Sequence, residues 1–322
     1  MKIAYLEFNE DDFCEDYSVS PKRYGGGRIF AAKAKEDIEG FHIFSNPDSF
    51  VNLGPDENKA ACHSITPEQR KMIREGKPIK DIIPDAHTYD LFVHHQSVYG
   101  LNLEGLSAQS CCWVVGYGER IHPNNKHVLL YNDYQNPVLA SGQQVHRIVI
   151  GKPIPEFEHY KKEDFIFQCS RHTSTFGSEI VAQLCKKHGL KVYFAGPIDA
   201  HYPLLKHVDD KNVFYLGIIS EEEKISYLKR ARITTYLHIW PTPFNLSAIE
   251  SLAYGTPILG TRYGFWPSLI NGKNGQILVS EATFYEAYRH DFSQRDCYES
   301  AVPFSEENMV ASFKKAFKTI LS

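Results

Sequence analysis

Two periods of apolar residues alternate along the chain. Short apolar runs of strand character fall at residues 2–6, 41–44, 90–95 and 128–131, then at 165–169, 190–195, 213–216, 233–237 and 258–260. Between them lie stretches of helical spacing. Residues 28–39 and 67–75 read as helices, as do 281–290 and 305–321. Another follows Pro243, where Leu246, Ile249, Leu252 and Ala253 share one face, and Gly255 and Pro257 end it. Ser220 with Glu223 forms a capping box that opens a further helix, so the acids of residues 221–223 are structural. Gly264 and Pro267 turn the chain after residues 258–260. Through the C-terminal half, strands and helices alternate as a doubly wound parallel sheet requires. Such sheets bind ligands at the carboxyl ends of their strands. That edge collects Arg171, His238, Thr242 and Arg262.

Composition narrows the class. The chain has 322 residues, enough for two α/β domains, with 43% hydrophobic and 23% charged residues and a mean hydropathy of -0.35. A net charge of -4 gives no general basic field for nucleic acid. The seven cysteines are odd in number and lack C-x-x-C spacing, which fits buried thiols in a reducing, cytoplasmic setting. No signal peptide and no long apolar run is found, so no transmembrane segment is expected. Cys/His spacing for zinc is missing, and so is any Asp-x-Asp, so neither a structural metal nor a metal-bridged diphosphate is expected. Pro153, Pro155 and the charged run Lys162, Glu163 and Asp164 read as a linker, with the domain boundary near residues 152–163.

The N-terminal half offers fewer chemical signals. After the first strand come an acidic loop and then Gly25, Gly26 and Gly27 ahead of a helix. Strand, glycines and helix is a layout that brings a ligand to backbone amides, although the spacing is not that of a dinucleotide site. A flexible loop is the other reading. His94 and His95 are consecutive, so on a strand they face opposite sides. Only one of them can serve a site, and a buried, hydrogen-bonded histidine is the alternative for either. Asn132 and Asp133 end the next strand, where an aspartate accepts hydrogen bonds from a ligand or caps a loop.

One stretch is far more specific. Pro243, Phe244, Leu246, Glu250, Ala253, Gly255, Thr256, Pro257 and Ile258 are followed by Gly264, Pro267, Asn271, Gly272 and Gly275. This order resembles the nucleotide-sugar site of retaining GT-B glycosyltransferases, the glycosyl transferases group 1 family. Arg171 and Gly177 are similar to that family's G-R-x-x-x-x-K-G loop. Three departures stand out: the first family glutamate is Thr242, the later one is Ser268, and the loop lysine is Phe176.

The resemblance implies a GT-B fold, that is, α/β with two Rossmann-like doubly wound domains facing a central cleft. Residues 1–152 would bind the acceptor and residues 153–322 the nucleotide sugar, with the last helix packing back on the first domain. It implies a retaining glycosyltransferase with no cofactor beyond its donor, UDP-sugar first and GDP-sugar second. Arg171 would neutralise the leaving diphosphate, since a guanidinium fork suits phosphate. His95, at the family's spacing from Asp90, would sit near the sugar. Gly26 and Gly27 would line the diphosphate. Thr242, Phe244, Asn245, Leu246 and Ser247 would form the donor loop, and Glu250 would accept from ribose hydroxyls. Asn132 and Asp133 take the place of a family histidine on the acceptor side. Arg262, where the family is neutral or acidic, would offset the charge missing at Phe176; a solvated surface arginine is the other reading. A nucleotide-sugar epimerase or hydrolase on the same fold stays open. So do a non-catalytic sugar-nucleotide binder and, among transferases, a phage-type enzyme acting on modified DNA bases. The acceptor itself, whether glycan, lipid, small molecule or nucleic acid, is not identified.

Overall fold

The computed structural model describes residues 1–6, 33–45, 62–95, 100–114, 117–199 and 201–322. By its internal contacts the chain divides into two units, Met1–Gly151 with Glu306–Ser322, and Lys152–Ser305.

The first unit is built on a 7-stranded sheet in the order β3-β2-β1-β4-β5-β6-β7. Its strands are β1 (Ile3–Leu6), β2 (Phe41–Ser45), β3 (Cys62–Ser64), β4 (Leu91–His94), β5 (Gln109–Trp113), β6 (His127–Leu130) and β7 (Gln144–Arg147). Every pairing is parallel. β1 and β4 are buried along their whole length, which is why they read as unbroken apolar runs and not as alternation. They pair in the register Ile3↔Leu91 to Leu6↔His94. Helix α1 (Pro67–Arg74) starts at a capping box: the Thr66 hydroxyl accepts from the Gln69 amide, and the Gln69 side chain accepts from the Thr66 amide. Strands β3 and β5 carry no apolar pattern strong enough to have been expected; β5 reads QSCCW and buries its two thiols.

The second unit has a 6-stranded sheet in the order β10-β9-β8-β11-β12-β13, also parallel throughout. Its strands are β8 (Glu163–Cys169), β9 (Val192–Ala195), β10 (Val213–Tyr215), β11 (Ala231–Tyr236), β12 (Ile258–Gly260) and β13 (Gly275–Ile277). The helices are α2 (Ser178–His188), α3 (Glu221–Arg230), α4 (Leu246–Ala253), α5 (Trp266–Leu269), α6 (Glu281–Arg289) and α7 (Gln294–Ala301). Ile166, Val181, Cys185, Phe194, Leu259 and Phe284 form one core cluster. Tyr236, Ile249, Leu252, Ile258, Trp266 and Cys297 form another. The turn expected at Gly264 and Pro267 contains the short helix α5, with Pro267 in its first turn, where a missing amide costs nothing.

Helix α8 (Glu306–Leu321) returns to the first unit. Met309, Phe313, Ala316 and Ile320 mark its buried stripe, and Phe313 meets Trp113 edge to face with ring centroids 5.0 Å apart. The Val149 amide donates to the Ser312 hydroxyl at 2.8 Å. The described cysteines are free thiols. Among the described residues no helix is long and apolar enough to cross a membrane.

Candidate active site

The second sheet reverses its winding between β8 and β11. From β8 the chain proceeds outward to β9 and β10, then returns to β11 and proceeds the other way. At such a switch point the loops leaving the two strands diverge and open a crevice at their carboxyl ends. Here those loops are residues 170–177 and 237–245.

A buried hydrogen-bond chain holds the first loop. The Gln168 amide donates to Ser178 Oγ at 2.9 Å, and Ser178 Oγ stands 2.7 Å from His172 Nδ1. His172 Nε2 is 3.1 Å from the Ala195 carbonyl oxygen, which can only accept, so the proton sits on Nε2 and Ser178 donates to Nδ1. Burial lowers the His172 pKa to about 4, only partly offset by the Ala195 bond, and the ring is neutral. Arg171, next to this anchor, is exposed at the carboxyl end of β8. Gly177 closes the loop with φ 69°, and a Cβ there would collide with the Leu237 carbonyl. The Ile239 amide donates to the Thr175 carbonyl at 3.0 Å, so the two loops are stitched together.

The second loop turns on His238, buried under Phe176 and Trp266 at centroid distances of 4.5 and 5.2 Å. Its Nδ1 bonds the Thr242 hydroxyl. Its Nε2 is buried without a hydrogen-bond partner among the described residues. Burial lowers its pKa to about 3. Two of the three family departures, Phe176 and Thr242, therefore touch the same neutral ring. Asn245 caps α4, its side chain accepting from the Ala248 amide at 3.0 Å. The Leu246 and Ser247 amides, in the first turn, have no intrahelical carbonyl to meet. Phe244 packs on Phe265 and Phe304 at 5.3 and 5.6 Å. The Phe265 amide donates to the Thr242 carbonyl at 3.0 Å, tying in the loop after β12. Arg262 is exposed in that loop, its guanidinium 5.5 Å from the Tyr263 ring.

Glu250 differs from an ordinary surface helix residue. It is buried on α4, ion-paired with Lys152 and, at 3.0 Å, with Lys224. Neither lysine was marked by the sequence. Lys224 sits in the helix opened by the capping box, where it reads as one more surface charge.

In the first unit, His95 follows β4 and is buried. Its Nε2 bonds the Tyr5 hydroxyl, and its ring lies 4.7 Å from that of Trp113. His94 is buried as well: its Nε2 donates to Asn125 Oδ1 at 3.0 Å, and burial lowers its pKa to about 3. Asn132 and Asp133 follow the carboxyl end of β6, and Asp133 is exposed and paired with Arg147. Gly26 and Gly27 lie outside the described residues. No group of three or more metal-ligating side chains occurs among the described residues.

Two parallel sheets with this order and these switch points define the GT-B class. Residues 170–290 match the family model described as Glycosyl transferases group 1, a segment that holds both loops of the crevice. No curated protein matches the chain. Among solved structures, the chain is similar to AviGT4, a glycosyltransferase involved in avilamycin A biosynthesis, with TM-score 0.69 and 16% identity, covering 99% of this chain and 98% of that one. Anabaena HepE, solved with UDP and glucose, gives TM-score 0.69 at 11% identity, covering 99% of this chain and 100% of that one. S. aureus TarM, solved with UDP among its ligands, gives TM-score 0.59 at 15% identity, over 74% of this chain and 57% of that one. The protein thus has the GT-B fold, and within its second unit residues 170–290 match the glycosyl transferases group 1 model.

Proposed function

We propose that the protein transfers a sugar from a nucleoside-diphosphate sugar to an acceptor hydroxyl, with retention and without a metal. The observation that carries this reading is the convergence of Arg171, Thr242 and the amino end of α4 on one switch point. UDP is the favoured donor nucleotide and GDP the second. The UDP in the HepE and TarM structures supports that order.

The chemistry requires negative charge to be stabilised as the bond from the anomeric carbon to the β-phosphate breaks. Arg171 supplies a bidentate cation, and the Leu246 and Ser247 amides supply the positive end of a helix dipole. Arg262 adds the second cation. Glu250 accepts from ribose hydroxyls, and Thr242 faces the donor sugar. The acceptor oxygen bonds to the anomeric carbon, and its proton passes to the departing phosphate. From the first unit, His95 serves the reacting sugar, Asn132 and Asp133 the acceptor side, and Gly26 and Gly27 the diphosphate.

The test begins with binding. UDP at one hundred times its dissociation constant should stabilise the protein by about 2.7 kcal/mol, read as a rise in melting temperature. Incubation with UDP-sugars and fractionated extract, followed by mass spectrometry, then seeks a glycosylated product. If no nucleoside diphosphate shifts melting at millimolar concentration, the reading fails. Sugar release that no extract fraction converts to transfer assigns hydrolysis instead.

A further inference from the structure

Behind α4 the second unit holds a line of alternating charges. Lys224 Nζ lies 3.0 Å from both Glu250 oxygens and 2.8 Å from Glu221 Oε1. Lys152 Nζ pairs with Glu250 Oε1. The Lys224 and Glu250 side chains are only 4% and 9% exposed, Lys152 18%. Burial pulls the Lys224 pKa down, but the two carboxylates outweigh it and hold the amine protonated, above the usual lysine range.

Withdrawing such ions from water costs several kcal/mol each, and apolar side chains of similar volume commonly stabilise a fold as well or better. Stability alone is therefore a weak reason for the arrangement. A functional reason lies in the acceptor sites of the carboxylate. Each oxygen can accept about two hydrogen bonds. Among the described residues, Oε1 receives both lysines, while Oε2 receives Lys224 alone. The α4 backbone and two cations from separate segments, α3 and the first residue of the unit, fix the group. The Lys152 segment is itself anchored, its amide donating to the Phe304 carbonyl at 3.0 Å.

We infer that Lys152 and Lys224 are positioning residues that hold Glu250 as an oriented carboxylate with one acceptor site on Oε2 for a ribose hydroxyl, and so set the preference for ribonucleotides. This rests on the nucleotide-binding role proposed above for Glu250.

The experiment measures calorimetric affinity for UDP and for 2′,3′-dideoxy-UDP. Wild type, Lys152→Met, Lys152→Arg, Lys224→Met, Glu250→Gln and the Lys152→Met/Glu250→Gln double variant are compared. Wild type should prefer UDP by about ten-fold or more, the scale of a hydrogen bond to a charged group. Each Met variant should weaken UDP binding by about ten-fold with little change for the dideoxy compound, so that the preference collapses. Lys152→Arg should keep it. In the Glu250→Gln background, Lys152→Met should cause no further loss of UDP affinity. Lys152 is the more accessible of the two lysines, so its variants decide the matter if Lys224→Met does not fold. Lysine variants that lower the melting temperature but keep the preference overturn the inference. So does a wild type that binds UDP without preferring ribose. A wild type that binds no nucleoside diphosphate overturns the functional reading instead, and this inference with it.

Discussion

Mild acid should destabilise this protein through three histidines. His94 in the first unit, and His172 and His238 in the second, are buried, and burial lowers their pKa values to about 3, 4 and 3. A histidine whose folded pKa lies below its unfolded value of about 6.5 favours the fold while neutral. Its contribution is complete above about pH 6.5 and is lost as pH falls toward the folded value, because the unfolded chain takes up the proton first. At pH 5 the loss is RT ln(1 + 10^1.5), about 2 kcal/mol for each ring relative to pH 8. The first unit should lose about 2 kcal/mol and the second about 4, a large share of the typical 5–15 kcal/mol of a domain. The half-buried pairs His42 with His63 and His127 with His146 have lowered pKa values too, with burial the main cause, and act in the same direction. Urea unfolding at steps from pH 8 to pH 5 measures the effect. Tryptophan fluorescence weights the second unit, which holds Trp240 and Trp266, whereas Trp113 reports the first. A loss below about 1 kcal/mol for the whole protein at pH 5 would refute burial as what keeps these rings neutral.

Three substitutions test the site directly. Arg171→Ala should lower turnover by about 10²–10³, the scale for one preorganised charge stabiliser, with melting nearly unchanged because the side chain is exposed. Arg262→Ala should lose turnover on a comparable scale; unaltered kinetics would remove it from the diphosphate site. Gly177→Ala should destabilise by at least about 2 kcal/mol in a melting experiment, since φ 69° and the Leu237 carbonyl both exclude a Cβ, and an unshifted melting curve would refute the tight docking of the two loops.

Much of the fold was legible because its strands are buried on both faces. Central parallel strands such as IAYL and ITTY, sandwiched by helices, read as compact apolar or β-branched runs bounded by loops. The capping box at Ser220 forms as the residues require, with the Glu223 amide 3.1 Å from Ser220 Oγ. The edges were harder. β3 reads CHS and β13 reads GQI, without the apolar run that marks equally short strands such as VFY and ILG, and β13 follows directly on the loop of residues 271–274. α7 reads QRDCYESA, with only Cys297 and Ala301 buried, so its apolar stripe is too thin to register.

The candidate site was legible where backbone geometry dictates residue type and obscure where partners come from distant segments. Gly177 and Gly264 take a left-handed backbone conformation, φ 69° and 71°, Pro257 follows a helix stop, and Asn245 caps a helix; each is fixed by its own few neighbours. Lys152 and Lys224 meet Glu250 from 98 and 26 residues away, and no local pattern records that. The same holds for Phe176 and Thr242. Read singly, they are a lost cation and a lost carboxylate, and together they weaken the case for catalysis. In three dimensions both lie on His238, one against its ring and the other on its Nδ1. A charge at position 176 would face a buried imidazole kept neutral by its surroundings, and a carboxylate at 242 would stabilise the protonated form that burial opposes. The neutral pair is therefore consistent with the ring it encloses. The two departures are a single repacking of the crevice wall, and they leave Arg171, the α4 amides and Glu250 in place beside it.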